Sequence, residues 1–357
     1  MKKILLLLIL LIPFNIRAVD TSAESAILMD MDSNRILYAK NINKQRSVAS
    51  ISKIMTAYLA VESEKLDKKV TIGSEIDKSY GSGIYIKKGE ILTIRDLLYG
   101  LMLRSGNDAS YSIAKNISGS VDNFVSEMNK KASELNLKNT IFNNPNGLDE
   151  DKGNYSTAYD MAILTSNAMK NKEFREIVKT KKYNLKTNMN TYIWHNKNKL
   201  LNMYKYATGG KTGYTKIAKR TLVNTASKDN LNLVAVTLND GNDFKDQMDL
   251  FEYGFNNYKN YNILKKGIID IVDDNYYKKY DLYIKNDFTY PLSNDELDLI
   301  VIKFNLEKIR NVKKDMKAGY ISVYLGNLLI HKEDIYINKK IKKSFSLKNF
   351  VKDIFKW

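Results

Sequence analysis

Apolar and polar positions change their period several times along the 357 residues. Two lysines near the start are followed by a short, unbroken apolar run ending at Ile12, then by Pro13 and Phe14. A membrane-spanning helix needs about 20 apolar residues, so this run fits a secretory signal better. Ala26 to Met29 and Ile36 to Ala39 read as two short strands, with a reversal at Asp30 to Asn34, where Asp, Ser and Asn favour turns. The period then lengthens. Ile54, Met55, Tyr58 and Leu59 fall at helical spacing on the helix expected to carry Ser50. Thr93-Ile94-Arg95-Asp96 opens a second helix as a capping box, its apolar residues running to Leu103. Further helical patterns cover Val121 to Leu135 and Thr157 to Met169, the latter with a second box at Thr157 and Asp160. Leu222 to Ala226 and Leu231 to Leu238 read as paired strands, and Phe244 to Tyr258 returns to helical spacing.

From about Ile263 the pattern becomes one of short strands: Ile268 to Val272, Tyr280 to Ile284, Leu299 to Phe304 and Tyr320 to Leu325, with turns at Asp273-Asp274-Asn275 and Gly326-Asn327. At the end, Leu347, Phe350, Val351, Ile354 and Phe355 form an apolar stripe opposed by Lys348, Lys352 and Lys356. Such a stripe is the pattern of a helix lying in a membrane interface. Together these elements predict an α+β chain, with an antiparallel sheet flanked by helices, then a small all-β domain and an amphipathic C-terminal helix. The expected divisions are 1–23 for the signal, 24–262 for a catalytic domain, 263–343 for the β-rich domain and 344–357 for the tail.

Composition narrows the function. Lysine and arginine number 57 against 40 acids, a net charge of +17, which favours anionic polymers or an anionic membrane surface as partners. An exported chain is not expected to meet nucleic acid. The absence of cysteine removes disulfides, thiolate metal sites, a lipoprotein anchor and a cysteine nucleophile together. With only His195 and His331 in the chain, a Ser-His-Asp triad is poorly supported.

The candidate chemistry centres on RSVASISKIMT, residues 46–56, where Ser50 and Lys53 stand three apart. On a helix that spacing places hydroxyl and amine on one face, so the amine can accept the hydroxyl's proton. Ser-x-x-Lys is a cheap pattern, and Ser112 and Lys115 repeat it. The first copy is distinguished by two further motifs that come after it in order: Ser105-Gly106-Asn107, placed in a loop after the second helix, and Lys211-Thr212-Gly213, placed before a strand. An ordinary lysine has a pKa of about 10.4 and is a poor base at neutral pH. Lys53 therefore needs burial and a neighbouring cation, for which Lys211 is the candidate.

Ser-x-x-Lys, Ser-x-Asn and Lys-Thr-Gly in this order are the set of penicillin-binding proteins and β-lactamases. The chain resembles the serine D-alanyl-D-alanine carboxypeptidases, the low-molecular-mass penicillin-binding proteins of peptidase family S11. The resemblance extends over AILMDMDSNRILYAKN, LLYGLMLRSGNDAS, FNNPNGLDEDKGNYSTAYDMAIL, HNKNKLL and FEYGF. It implies a β-lactamase/transpeptidase-like catalytic domain and the release of D-alanine from peptidoglycan stem peptides ending in D-Ala-D-Ala, with β-lactams as covalent inhibitors and no cofactor or metal. It further implies that Ser50 attacks, Lys53 takes its proton, Ser105 passes a proton to the departing D-alanine, and Asn107 orients substrate amide and lysine. Lys211 and Thr212 would meet the terminal carboxylate, and Gly213 would let the peptide lie along the strand edge. The backbone N–H groups of Ser50 and Tyr214 would form the oxyanion hole. Two departures concern the carboxylate end: Lys219 stands where the family usually has glycine, and only Asp243 and Lys245 occupy the place of a common arginine.

Other readings on the same fold are a β-lactamase, a DD-endopeptidase and a wall-binding scaffold without activity. A class A β-lactamase needs a glutamate for its deacylating water, and Glu150 here is followed by Asp151-Lys152-Gly153-Asn154 rather than the usual context.

Overall fold

The computed structural model describes residues 19–149, 152–269, 276–277 and 280–338. The apolar leader up to residue 18, Glu150 and Asp151, and the striped tail 344–357 lie outside them.

A five-stranded antiparallel sheet forms the centre, in the order Ile36–Lys40, Ser25–Asp30, Leu231–Leu238, Lys219–Lys228, Ala207–Thr215. Both faces are covered, which is why Ser25–Asp30 and Leu231–Leu238 are almost continuously apolar instead of alternating. Ile27, Met29, Val234 and Val236 face the main core, with the helices Lys53–Glu62, Ile94–Arg104, Asn107–Ser118 and Ala158–Ala168. Leu28, Leu233 and Ala235 face Leu250 and Phe251 of the helix Asp243–Asn257. That helix sits close to the sheet at Gly254, where a Cβ would come within 2.6 Å of the Leu233 side chain.

The strand and helix assignments on described residues agree with the structure to within a few residues, while most of the strand expected at Ile268–Val272 and the turn at Asp273-Asp274-Asn275 lie outside those residues. Thr93 and Asp96 form the expected reciprocal box, while the second box is only half made. Thr157 caps Asp160 N–H, but the Asp160 carboxylate accepts instead from Asn139 N–H and the Thr140 hydroxyl. Among the described residues the period missed the hairpin Lys182–Lys186 with Thr191–His195, the helices Asn107–Ser118, Lys172–Lys179 and Leu200–Met203, and the strands Ala207–Thr215, Lys259–Leu264, Phe288–Leu292 and Leu328–Asn338, among shorter elements.

The β-rich part pairs Gly267–Ile269, Asp281–Ile284, Leu328–Asn338, Lys317–Leu325 and Ile300–Leu306 in one antiparallel sheet. Its core gathers Ile284, Leu292, Ile321, Val323 and Ile335. The strand Lys259–Leu264 pairs with Phe288–Leu292 and runs through the division expected at residues 262 and 263. Arg35, in the turn of the first hairpin, lies over the rings of Tyr258 and Tyr290 at 5.3 and 5.1 Å. It also donates to the Pro291 carbonyl and pairs with Glu296, tying the β-rich part to the catalytic sheet.

Candidate active site

Ser50 lies on a 3₁₀ turn, Ala49–Ser52, and the α-helix proper begins at Lys53, so the serine precedes the helix expected to carry it. Ala49 adopts a left-handed φ of +50°, an unusual conformation for a residue with a side chain. The loop after Pro145 is packed against this turn. Gly147 has φ +80°, and a Cβ there would fall 2.0 Å from the Ala49 carbonyl oxygen. Glycine is therefore required both for the turn and for the contact.

Lys53 is completely buried. Its Nζ donates to Ser50 Oγ at 3.1 Å, to Asn107 Oδ1 at 2.7 Å and to the Asn146 carbonyl. Ser50 Oγ itself lies 3.4 Å from that carbonyl. Burial, then the positive charges of Lys211 and Lys197, hold the Lys53 pKa well below the ordinary lysine value, with Asp108 opposing them. A buried amine surrounded by cations gives up its proton more readily, so Lys53 is suited to be a base.

Ser105 caps the helix Ile94–Arg104 with a left-handed φ of +63°, and Asn107 is the first residue of the next helix, not a loop residue as expected. The sharp reversal at Ser105-Gly106 sets a hydroxyl and an amide side by side. Across the cleft, Lys211 belongs to the edge strand Ala207–Thr215 and is 1% exposed. It donates to Ser105 Oγ at 3.1 Å and to the Thr212 carbonyl at 2.6 Å. Burial, reinforced by Lys197, lowers its pKa to about 7. Gly213 brings the edge strand against the nucleophile turn, since a Cβ there would stand 3.0 Å from Ser50 N. Thr212 is partly buried and Tyr214 is 64% exposed, so strand edge and ring are open to a ligand.

The second Ser-x-x-Lys copy does not assemble. Ser112 is buried and donates to Glu75 Oε1 at 3.0 Å, while Lys115 caps its own helix on the Gly119 carbonyl. The histidines are elsewhere: His195 is exposed on the missed hairpin, and His331 stacks on Phe288 with ring centroids 4.0 Å apart.

Several residues of the site were not singled out from the sequence. Asn146 enters through its main-chain carbonyl, which residue type does not reveal, although Asn-Pro-Asn-Gly marks a tight turn. Asp149 accepts from Ser47 and Thr215, joining the loop to the end of the edge strand. Lys197 lies beside Lys53 and Lys211, its own pKa lowered by partial desolvation and then by Arg104. The adjacent Asn198 donates to Asn224 Oδ1 at 2.5 Å, which fixes that turn against the sheet. At the carboxylate end, Asp243 holds Arg220 at 2.7 Å, so a guanidinium reaches the start of that helix from the neighbouring strand. Lys219, where glycine was expected, adopts φ +58°, the conformation for which glycine is the usual choice.

Three kinds of comparison place these features among known proteins. A family model described as D-alanyl-D-alanine carboxypeptidase matches residues 13–242. The D-alanyl-D-alanine carboxypeptidase DacF of Bacillus subtilis is 41% identical over 220 residues, which cover 60% of this chain and 56% of that protein. DacD of Escherichia coli is 30% identical over 340 residues, covering 88% of this chain and 85% of the relative. Penicillin binding protein 5 from Haemophilus influenzae superposes with a TM-score of 0.77 at 27% identity, over 91% of this chain and 98% of that one.

Proposed function

The chain belongs to the D-alanyl-D-alanine carboxypeptidase family, peptidase S11, and from that premise we propose that it removes the terminal D-alanine of peptidoglycan pentapeptides through an ester on Ser50. β-Lactams acylate the same serine, because they present an amide and a carboxylate in the arrangement of D-Ala-D-Ala. The observation that carries the reading is the buried Lys53, which touches Ser50 and Asn107 at once while Lys211 holds Ser105.

The steps derive from these contacts. Ser50 Oγ bonds to the carbonyl carbon between the two D-alanines as its proton passes to Lys53 Nζ. The developing oxyanion is met by the N–H groups of Ser50 and Tyr214. The carbon–nitrogen bond breaks, and the leaving amine takes a proton from the Ser105 hydroxyl, which Lys211 Nζ–H resupplies. Water then adds to the ester, its spare proton returning through Ser105 to Lys211, Ser50 recovers its proton from Lys53, and the shortened peptide leaves as its acid. Asn107 orients the substrate amide. Lys211 and Thr212 hold the terminal carboxylate, and Gly213 gives room for the peptide along the edge strand.

D-Alanine release from a peptide ending in D-Ala-D-Ala, measured beside β-lactam turnover and across pH, tests this reading. Release with slow β-lactam turnover is the expected result. Rapid β-lactam turnover without release would mean a β-lactamase, and neither activity would mean a scaffold. The pH dependence has a definite sign. Lys53 must be neutral to accept a proton, so activity rises as pH climbs through its lowered pKa. Lys211 must be charged to hold a carboxylate, so kcat/KM falls above about 7, its value in the free protein. Burial, then the charges of Lys211 and Lys197, lowers the Lys53 pKa, which sets the rising limb below the ordinary lysine range. A profile that climbs without a maximum through the ordinary lysine range would overturn these assignments.

We further propose the division into a signal through residue 23, a catalytic domain, a β-rich domain to 343 and a peripheral tail, with the boundary between the two domains moved from 262 to the start of the strand Lys259–Leu264. In this arrangement the β-rich domain is a spacer on the outer face of the cytoplasmic membrane. No helix among the described residues is long and apolar enough to cross a membrane. The lysine-opposed stripe of the tail supports attachment at about 1 kcal/mol for each lysine near anionic lipid. Removing everything after Ile341 is expected to abolish co-sedimentation with anionic liposomes while leaving D-alanine release intact. Equal sedimentation of whole and shortened proteins would show that the tail is not an anchor.

A further inference from the structure

Asp108 comes directly after the Ser-x-Asn element and binds main-chain N–H groups. It is 5% exposed, and its carboxylate accepts Ile84 N–H at 3.0 and 3.1 Å and Tyr85 N–H at 2.7 Å. Those two amides belong to the segment that covers Asn107. Two carbonyls of the same segment receive Asn107: Tyr80 O takes its side-chain amide at 2.6 Å, and Ser82 O takes its main-chain N–H at 2.8 Å. Because Nδ2 is occupied in this way, Oδ1 is the atom left to face Lys53.

The segment could not hold this shape unaided. Tyr85 sits at φ +61° with its ring 78% exposed, a left-handed aromatic residue with little packing of its own. Strain of this kind persists only where neighbouring bonds impose it. Two N–H groups on one buried carboxylate are such bonds. Ile84 packs closely beneath, where a Cβ on Gly100 would come within 2.6 Å of it.

We infer that Asp108 is a positioning residue of this site, which holds the covering segment in place and through it keeps the Asn107 amide oxygen toward Lys53. The inference rests on Lys53 acting as the base. Lys53 is faced by Lys211 from the edge strand, by Lys197 from the turn after the hairpin and by Asp108 from the helix Asn107–Ser118. Asp108 is the charge among these that favours the ammonium, so removing it moves the acidic limb of activity to lower pH.

The test compares Asp108→Asn with Asp108→Glu and with Asp96→Asn, a helix-capping carboxylate bonded to Thr93 and Tyr183 away from the site. The readouts are the pH profile of D-alanine release and the hydrogen exchange of the Ile84 and Tyr85 amides. Asp108→Asn is expected to lower kcat/KM about a hundredfold, as a misplacement of about 1 Å does. It should also shift the acidic limb downward and expose both amides to exchange. Asp108→Glu should lower kcat while leaving the limb in place, since the charge remains, and Asp96→Asn should change thermal stability alone. If Asp108→Asn folds poorly, Asp108→Glu and the amide exchange still decide the matter. Unchanged limb and amide protection in Asp108→Asn, or unchanged kcat in Asp108→Glu, would overturn this inference alone. Wild-type protein without D-alanine release, or a Ser50→Ala variant that keeps it, would overturn the underlying reading as well.

Discussion

Labelled penicillin is expected to remain on the peptide that carries Ser50, and Ser50→Ala is expected to take up none. A β-lactam offers a strained amide whose opening is driven by ring relief, so acylation needs only a positioned hydroxyl and a base to receive its proton. Ser50 has that base at 3.1 Å. Among the described residues no carboxylate hydrogen-bonds Ser50 or Lys53. Ser112 is the natural competitor by pattern, but its hydroxyl is engaged by Glu75 and its lysine points to a helix end. Digestion of the labelled protein and mapping of the adduct settle the point. Label on Ser112, or none on the wild type, would refute the nucleophile.

Lys53→Ala should slow acylation by about 10²–10⁴-fold, the usual contribution of a positioned general base, whereas Lys115→Ala should leave it unchanged. The fold should survive the first change. Burial and neighbouring lysines lower the Lys53 pKa, so its charge is held at a cost to stability, and a buried amine still requires partners. Lys53 has three such partners, and its removal leaves Asn107 Oδ1 and the Asn146 carbonyl to be met by water in the vacated space. Stopped-flow acylation with penicillin and thermal unfolding of both variants measure the two effects separately. If the lysine variants react alike, Lys53 is not the base.

Much of this molecule was legible before the fold was known. Four of the five strands of the central sheet, the helices Ile94–Arg104, Val121–Glu134, Ala158–Ala168 and Asp243–Asn257, and part of the β-rich sheet arise from apolar period, turn residues and the Thr93 box, all of which act within a few residues. The ordered triple marked Ser50, Lys53, Ser105, Asn107, Lys211, Thr212 and Gly213 together. The helix after Ser105 was missed because its strongest signal is a left-handed serine, and residue type does not announce that conformation. The hairpin ending at His195 was missed although Tyr183, Leu185, Tyr192 and Trp194 alternate toward the core, because each strand is only five residues long.

The sequence alone determined which residues could serve as nucleophile, base and carboxylate anchor, since side-chain chemistry and short spacing are local properties. The ordered motifs had favoured one of two identical spacings, and the tertiary structure showed that this pair alone is in contact. It brought Asn107 to Lys53 across 54 residues, the Asn146 carbonyl across 93, and Lys211 to Ser105 across 106. It also decided the proton affinities, because the fall in the Lys53 and Lys211 pKa values comes first from burial and then from neighbouring lysines, Lys197 in both cases. Burial and charge proximity depend on how distant segments pack, and no single stretch of chain contains that information.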